Sequence, residues 1–155
     1  MAGKKRPSGV ATAKPGRERW ALEELWDIVT EADPGGVVAE TRFRGVYLLL
    51  SDPRLLARAF TQATPAFVKM VLITPRYISL RHGLQGGLKL ESCSDVRLRL
   101  RGSSKYSEGA IAALLSGAEK CIVYAEGVDD IIFIARGHPR TCGHGCTLIL
   151  DESLL

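Results

Sequence analysis

The chain has 155 residues, 46% of them hydrophobic and 25% charged, with a formal net charge of +4. That balance excludes a disordered tail protein and suffices for the core of one ordinary domain or two very small ones. The longest apolar run, residues 110–115, is six residues, against the roughly twenty of a membrane-spanning helix. No apolar stretch follows the basic N-terminus, so no secretory signal is read; the expectation is a cytoplasmic protein with no membrane partner.

Charge is unevenly placed. Residues 1–19 carry +5, 20–41 carry −6, 42–105 carry +9 and 106–155 carry −4. A polyanion meets the arm and the middle block rather than the average.

Residues 1–9 read as a basic flexible arm, and residues 10–13 as a first strand broken by Lys14-Pro15-Gly16. Leu22, Leu25, Trp26 and Val29 recur at helical steps, with Glu23, Glu24, Asp27 and Glu31 on the other side. Asp33-Pro34-Gly35-Gly36 ends that helix. The acidic face is a solvated one or a docking surface for a partner enzyme. Residues 37–43 and 46–50 make a hairpin around Arg44-Gly45. Asp52-Pro53 caps a second helix, Thr64-Pro65 closes it, and residues 67–73 form a further strand. The order β-α-β-β-α-β is that of a ferredoxin-like unit, placed at 10–78.

Residues 74–92 read as a linker: Gly83, Gly86 and Gly87 crowd together and the apolar period is lost. A second small α/β unit, 79–155, then holds a strand at 96–101, a helix at about 107–115, strands at 121–124 and 130–135, a loop at 137–145 and a last strand at 147–150. The fold class expected is therefore α+β.

In the segment Arg97-Leu98-Arg99-Leu100-Arg101-Gly102 the strand period of two puts all three arginines on one face and the apolar residues on the other. Guanidiniums about 7 Å apart, two strand rises, approach the spacing of phosphates along a nucleic-acid strand. Lys105 adds to the patch at the start of the next helix, whose N-terminus favours phosphate. A solvated face partly paired with acids is the alternative, and the +9 block favours phosphate binding. Arg42 and Arg44 flank the hairpin tip, and Arg76, Tyr77, Arg81 and His82 lie in the linker. An Arg-Tyr pair suits a single strand, the ring stacking on a base; a tyrosine plug between two units fits the same residues.

Four cysteines are too few for a secreted disulfide scaffold and are expected reduced in a cytoplasm. Intracellular proteins of hyperthermophiles are the exception. The absence of Asn and the scarcity of Gln and Met lean that way, with Cys142 and Cys146 as the pair. His138, Cys142, His144 and Cys146 have ligand chemistry, but all lie within nine positions, a poor frame for a tetrahedral ion. An ordinary loop is favoured, and no metal or cofactor is expected. The full phosphate-loop pattern, G-x-G-x-x-G and H-E-x-x-H are all missing. Asp129-Asp130 reads as a solvated turn. No nucleophile, base and orienting group assemble, so no catalytic residues are assigned.

The pattern resembles the THUMP family of RNA-binding modules. The first half is similar to that family's leading ferredoxin-like domain through Gly45-Val46-Tyr47-Leu48-Leu49 and Ala63-Thr64-Pro65-Ala66-Phe67-Val68. The second half is similar to the THUMP domain itself through residues 96–102, Ser104-Lys105-Tyr106-Ser107 and the acidic-then-apolar run 128–134. It departs in length: only residues 79–95 stand where two leading helices are usual. The resemblance implies tRNA recognition, typically at the acceptor stem and 3′ end. With no catalytic domain in 155 residues, it implies a protein that presents tRNA to a separate tRNA-modifying enzyme. The expectation is a non-catalytic binder of tRNA or other structured RNA. Its core contacts are Arg97, Arg99, Arg101 and Lys105, and its secondary contacts are Arg42, Arg44, Arg76 and Arg81. The alternatives are a ferredoxin-like regulatory or dimerisation module with a small ligand, and a metal enzyme built on the 138–146 loop.

Overall fold

The computed structural model describes residues 6–86 and 92–155; residues 1–5 of the expected arm and 87–91 of the expected linker lie outside them. Among the described residues three helices and two mixed sheets make a mixed α/β fold. The chain begins with β1 (Pro7–Ala13), α1 (Glu18–Ala32), β2 (Val37–Glu40), β3 (Val46–Leu50), α2 (Pro53–Gln62) and β4 (Val68–Ile73). Thus β1 starts inside the segment read as an arm, because Pro7 and Gly9 pair with Leu50 and Leu49 of β3. Asp52 caps α2 by accepting from the Arg54 amide, with Pro53 in the first turn. Glu24 reaches out of α1 to accept the Ala66 and Phe67 amides at 2.6 and 2.7 Å, fixing the turn into β4.

The chain continues through β5 (Tyr77–Ser79), β6 (Gly83–Gln85), β7 (Asp95–Arg101), a 3-10 turn (Gly102–Ser107), α3 (Glu108–Leu115), β8 (Ile122–Val128) and β9 (Ile131–Arg136). It closes with β10 (Arg140–Thr141), β11 (Thr147–Leu150) and a 3-10 turn (Glu152–Leu154). The first sheet has the order β10-β11-β4-β1-β3-β2 and the second β6-β5-β9-β8-β7. Two neighbour pairs are parallel, β11 with β4 and β7 with β8.

The linker reading is therefore corrected. β5 and β6 lie within residues 74–92, and β5 pairs with β9. Two strands of three residues each are too short for the alternation of two to stand out among glycines. The boundary expected between residues 78 and 79 falls within β5, and β11 returns from the second half to extend the first sheet.

Strand alternation builds the layers. On one face of the first sheet Ala11, Leu49, Val71, Ile73, Leu148 and Leu150 meet Leu25 and Val29 of α1 and Leu56 and Phe60 of α2. The residues between them, Val10, Leu72 and Ile149, point the other way. With Val46 they meet Tyr124, Val128, Phe133 and Ala135 of the second sheet. That sheet's far face presents Val123, Ala125, Ile132 and Ile134 to Ile111 and Leu115 of α3. The result is four layers: α1 and α2, first sheet, second sheet, α3. Strands buried on both faces lose the apolar–polar alternation and read as continuous apolar runs, as 131–135 does.

Tyr77 packs on Phe133 with ring centroids 6.2 Å apart, the plug of the two alternatives. Arg76 is buried and ion-paired with Asp151, the side chains 7% and 0% exposed. Asp151 also accepts the Arg136 amide at 2.9 Å and the Ser153 hydroxyl. Arg76 is thus a joint between β4, β9 and the C-terminal turn, not a surface contact. Lys14 Nζ donates to the Ala66 and His144 carbonyls, both at 2.6 Å.

All four cysteines are in disulfides, Cys93–Cys121 and Cys142–Cys146. The second was one of the alternatives for the 138–146 loop and removes both thiols as ligands. The first had no sequence signal, because its partners are 28 positions apart. It ties the start of β7 to the start of β8, which run side by side in register from Asp95 and Ile122. Among the described residues no helix is long and apolar enough to cross a membrane.

Candidate nucleic-acid interface

Among the described residues β7 is an edge strand, with β8 as its one strand neighbour. Its alternation holds: Leu100 is buried and Val96 and Leu98 pack beneath the sheet against the α3 layer. Arg97, Arg99 and Arg101 share the opposite face, beside Tyr124, Glu126 and Val128 of β8. That is the face turned toward the first sheet, where β1 ends, β4 begins and loop 41–45 turns.

A cleft of about 530 Å³ lies between these parts, and five cations line it: Arg42, Arg44, Lys69, Arg99 and Arg101. The structure therefore brings together four of the eight predicted residues, from two sheets and more than fifty positions apart. Lys69 was missed. It is a lone charge in an apolar strand. The pairing of β1 with β4 slips there, Thr12 facing Met70 and Ala13 facing Val68. Lys69 is left as the extra residue of a bulge, a device that re-aims one side chain.

Three of the five cations are committed to carboxylates. Arg42 grips Asp129, with Nε 2.9 and 3.0 Å from the two carboxylate oxygens and Nη2 2.6 Å from Oδ1. It lies over the Phe43 ring at 4.5 Å. The hydrogen bond from Arg42 holds the Asp129 carboxyl below its usual range, with burial opposing. Gly102 makes the room. Its φ is +73°, and a Cβ there would stand 2.0 Å from Asp129 Oδ1 and 2.6 Å from Arg42 Nη2. Arg44 meets Glu18 at 3.2 Å. Arg101 Nη1 donates to Glu126 at 3.0 Å, both side chains 11% exposed. Burial pushes the Glu126 carboxyl up, and Arg101 pulls it back down. The second arm of that guanidinium, Nη2, has no hydrogen-bond partner. Lys69 and Arg99 are exposed and make no ion pair among the described residues.

The remaining predicted residues lie outside the cleft. Arg97 continues the row but is drawn to Asp95 at 3.2 Å and lies 5.7 Å over the Tyr124 ring. Lys105 is exposed in the 3-10 turn, ahead of the helix it was expected to start. Arg81 is exposed and 3.4 Å from Asp130. The Asp129-Asp130 turn is therefore an anchor for two arginines as well as a solvated turn. No group of three or more His, Cys, Asp or Glu among the described residues has the placement to hold a metal ion.

The arrangement can hold anionic oxygens at Lys69 and Arg99, with Arg42, Arg44 and Arg101 as a preset rim. Neither a protein-family model nor a curated protein sequence matches this chain.

Proposed function

We propose that the chain binds structured RNA, tRNA foremost, with the sugar–phosphate backbone across the Lys69–Arg99 cleft, and presents it to a separate tRNA-modifying enzyme. The observation that carries this is the pair of unpaired cations, Lys69 and Arg99, brought from different sheets to face one cleft rimmed by three more. Phosphate contacts position an RNA without reading sequence; shape and exposed single-stranded ends supply selectivity.

The reading as a ferredoxin-like unit joined to a THUMP-like unit is supported by strand order. Within the first sheet β4-β1-β3-β2 is antiparallel throughout, the order expected of a β-α-β-β-α-β unit. In the second, β7, α3, β8 and β9 follow one another with β7 parallel to β8. The β5–β6 hairpin in place of two leading helices, and the return of β11, are this chain's own.

The test is binding of total tRNA and of 3′-trimmed tRNA over a salt series, with wild type beside Lys69→Ala/Arg99→Ala. Each phosphate contact removed flattens the slope of log affinity against log salt by about 0.7 to 0.9. The expected result is tight binding by wild type, weakened by trimming, with a flatter slope in the double variant. Equal, weak binding by both proteins would overturn the proposal and favour the regulatory, small-ligand alternative.

A further inference from the structure

Tyr106 carries a ring that has no place in the packing. It is 93% exposed and, among the described residues, has neither a ring contact nor a side-chain hydrogen bond. The other tyrosines are all engaged. Tyr47 donates to the Glu18 carbonyl at 2.8 Å, Tyr77 packs on Phe133, and Tyr124 lies under Arg97. A ring left wholly in water adds nothing to the core, and its faces are open to a ligand.

Its place in the chain names the ligand. The turn Gly102–Ser107 leaves β7 directly after Arg101, a residue of the basic cleft. It starts at the cleft's rim: Gly102 abuts the Arg42–Asp129 pair, and Ser103 Oγ meets Asp130 at 3.1 Å. In a 3-10 turn side chains three apart stand in line. Lys105 therefore follows Gly102, and Tyr106 follows Ser103, each about 6 Å further out, three rises of the turn. Lys105 is exposed and makes no ion pair among the described residues, Glu108 included. A free cation beside an open ring, next to a phosphate-binding cleft, suits a nucleotide: the base stacks while the charge holds its phosphate. We propose, resting on the reading of the cleft as an RNA site, that Tyr106 is the stacking platform for an unpaired base of the bound RNA, with Lys105 on the adjoining phosphate. In a duplex each base is already stacked on its neighbours, so only an unpaired base offers a face to the ring. The RNA selected is a helix with single-stranded nucleotides beside it.

Binding of one RNA duplex in three forms tests it: blunt, with a short single-stranded extension, and with that extension made abasic. Wild type is expected to favour the intact extension over the abasic one at least about fivefold, the value of one stacked base. Tyr106→Ala should remove that preference. It should leave the affinity for the blunt duplex, the salt slope and the urea midpoint unchanged, since stacking releases no counterion and an exposed ring supports no core. Tyr106→Phe should keep the preference, because the base uses only the ring face. Lys105→Ala should instead flatten the salt slope on the extended duplex by about 0.7 to 0.9. A wild type that binds intact and abasic extensions alike would overturn the proposal, and so would a Tyr106→Ala protein that still prefers the intact one. In either case, lost affinity of Lys69→Ala/Arg99→Ala for the blunt duplex leaves the cleft reading standing. Without that loss, the cleft reading fails as well.

Discussion

Two of the arginines read from the sequence as RNA contacts have opposite fates. Arg76 and Arg99 lie in the same +9 block, yet Arg76 is sealed against Asp151 and Arg99 stands exposed with no ion pair among the described residues. The difference comes from what the fold returns to each. The C-terminal segment lays Asp151 beside β4 and β9, where its carboxylate also accepts the Arg136 amide. The acid opposite Arg99 on β8 is Glu126, and that carboxylate is bound by Arg101, so Arg99 acts on it only through space. A cation's partners, not its place in a basic block, decide whether it holds the fold or a ligand.

Asp151→Ala is the largest way to sharpen that contrast. Removing one partner of a buried ion pair leaves the other charge uncompensated, at a cost of about 3–5 kcal/mol. The urea midpoint should fall accordingly, while RNA affinity measured well below the melting temperature should stay within twofold. Lys69→Ala/Arg99→Ala should invert both results: a change in stability within about 0.5 kcal/mol, as for exposed side chains elsewhere, and a flattened salt slope. If the double variant unfolds, or Asp151→Ala abolishes RNA binding in the folded state, the division between the two arginines fails.

Gly102→Ala is a smaller step on the cleft side. At φ +73° alanine is strained, and its methyl would displace the Arg42–Asp129 pair. A loss of more than about 1 kcal/mol is expected, together with weaker RNA binding through a misplaced Arg42. Arg42→Ala should reproduce the binding loss without the backbone strain, which separates the two effects by urea titration.

What was legible in the sequence follows the range of the interaction that fixes each part. The Asp52-Pro53 cap, the end of α1 at Asp33-Pro34 and the period-two row of Arg97, Arg99 and Arg101 are local, and they appear where the residues put them. The seating of β11 against β4 and the Cys93–Cys121 bond are fixed by contacts between distant segments. So is the convergence of Arg42 and Lys69 on Arg99, and no single segment carries its signal. Lys69 was hidden twice over, since a bulge exists only in the pairing of two strands. Arg76 misled because a buried and a solvated arginine are spelled alike.

The smallest expected effect concerns Glu126, the carboxylate that keeps Arg101 half-occupied. Burial raises its folded-state pKa above the unfolded value, with Arg101 opposing. The protonated form is therefore the one the fold prefers. Its contribution to stability is full below the ordinary glutamate range and is lost as pH rises through the folded value. Over that window the unfolded chain has released a proton that the folded chain still holds, so wild type should lose stability that Glu126→Gln, having no proton to release, does not. Urea midpoints of the two proteins, measured stepwise from below the glutamate range to neutrality, should diverge in that sense. Below the glutamate range both proteins place a neutral side chain beside Arg101 and start close together, and the glutamine variant becomes the more stable as pH rises. A wild type that gains on the variant with pH would mean that Arg101 outweighs burial and that Glu126 is held ionised. In that case Arg101 belongs with Arg76 among the arginines that hold the fold.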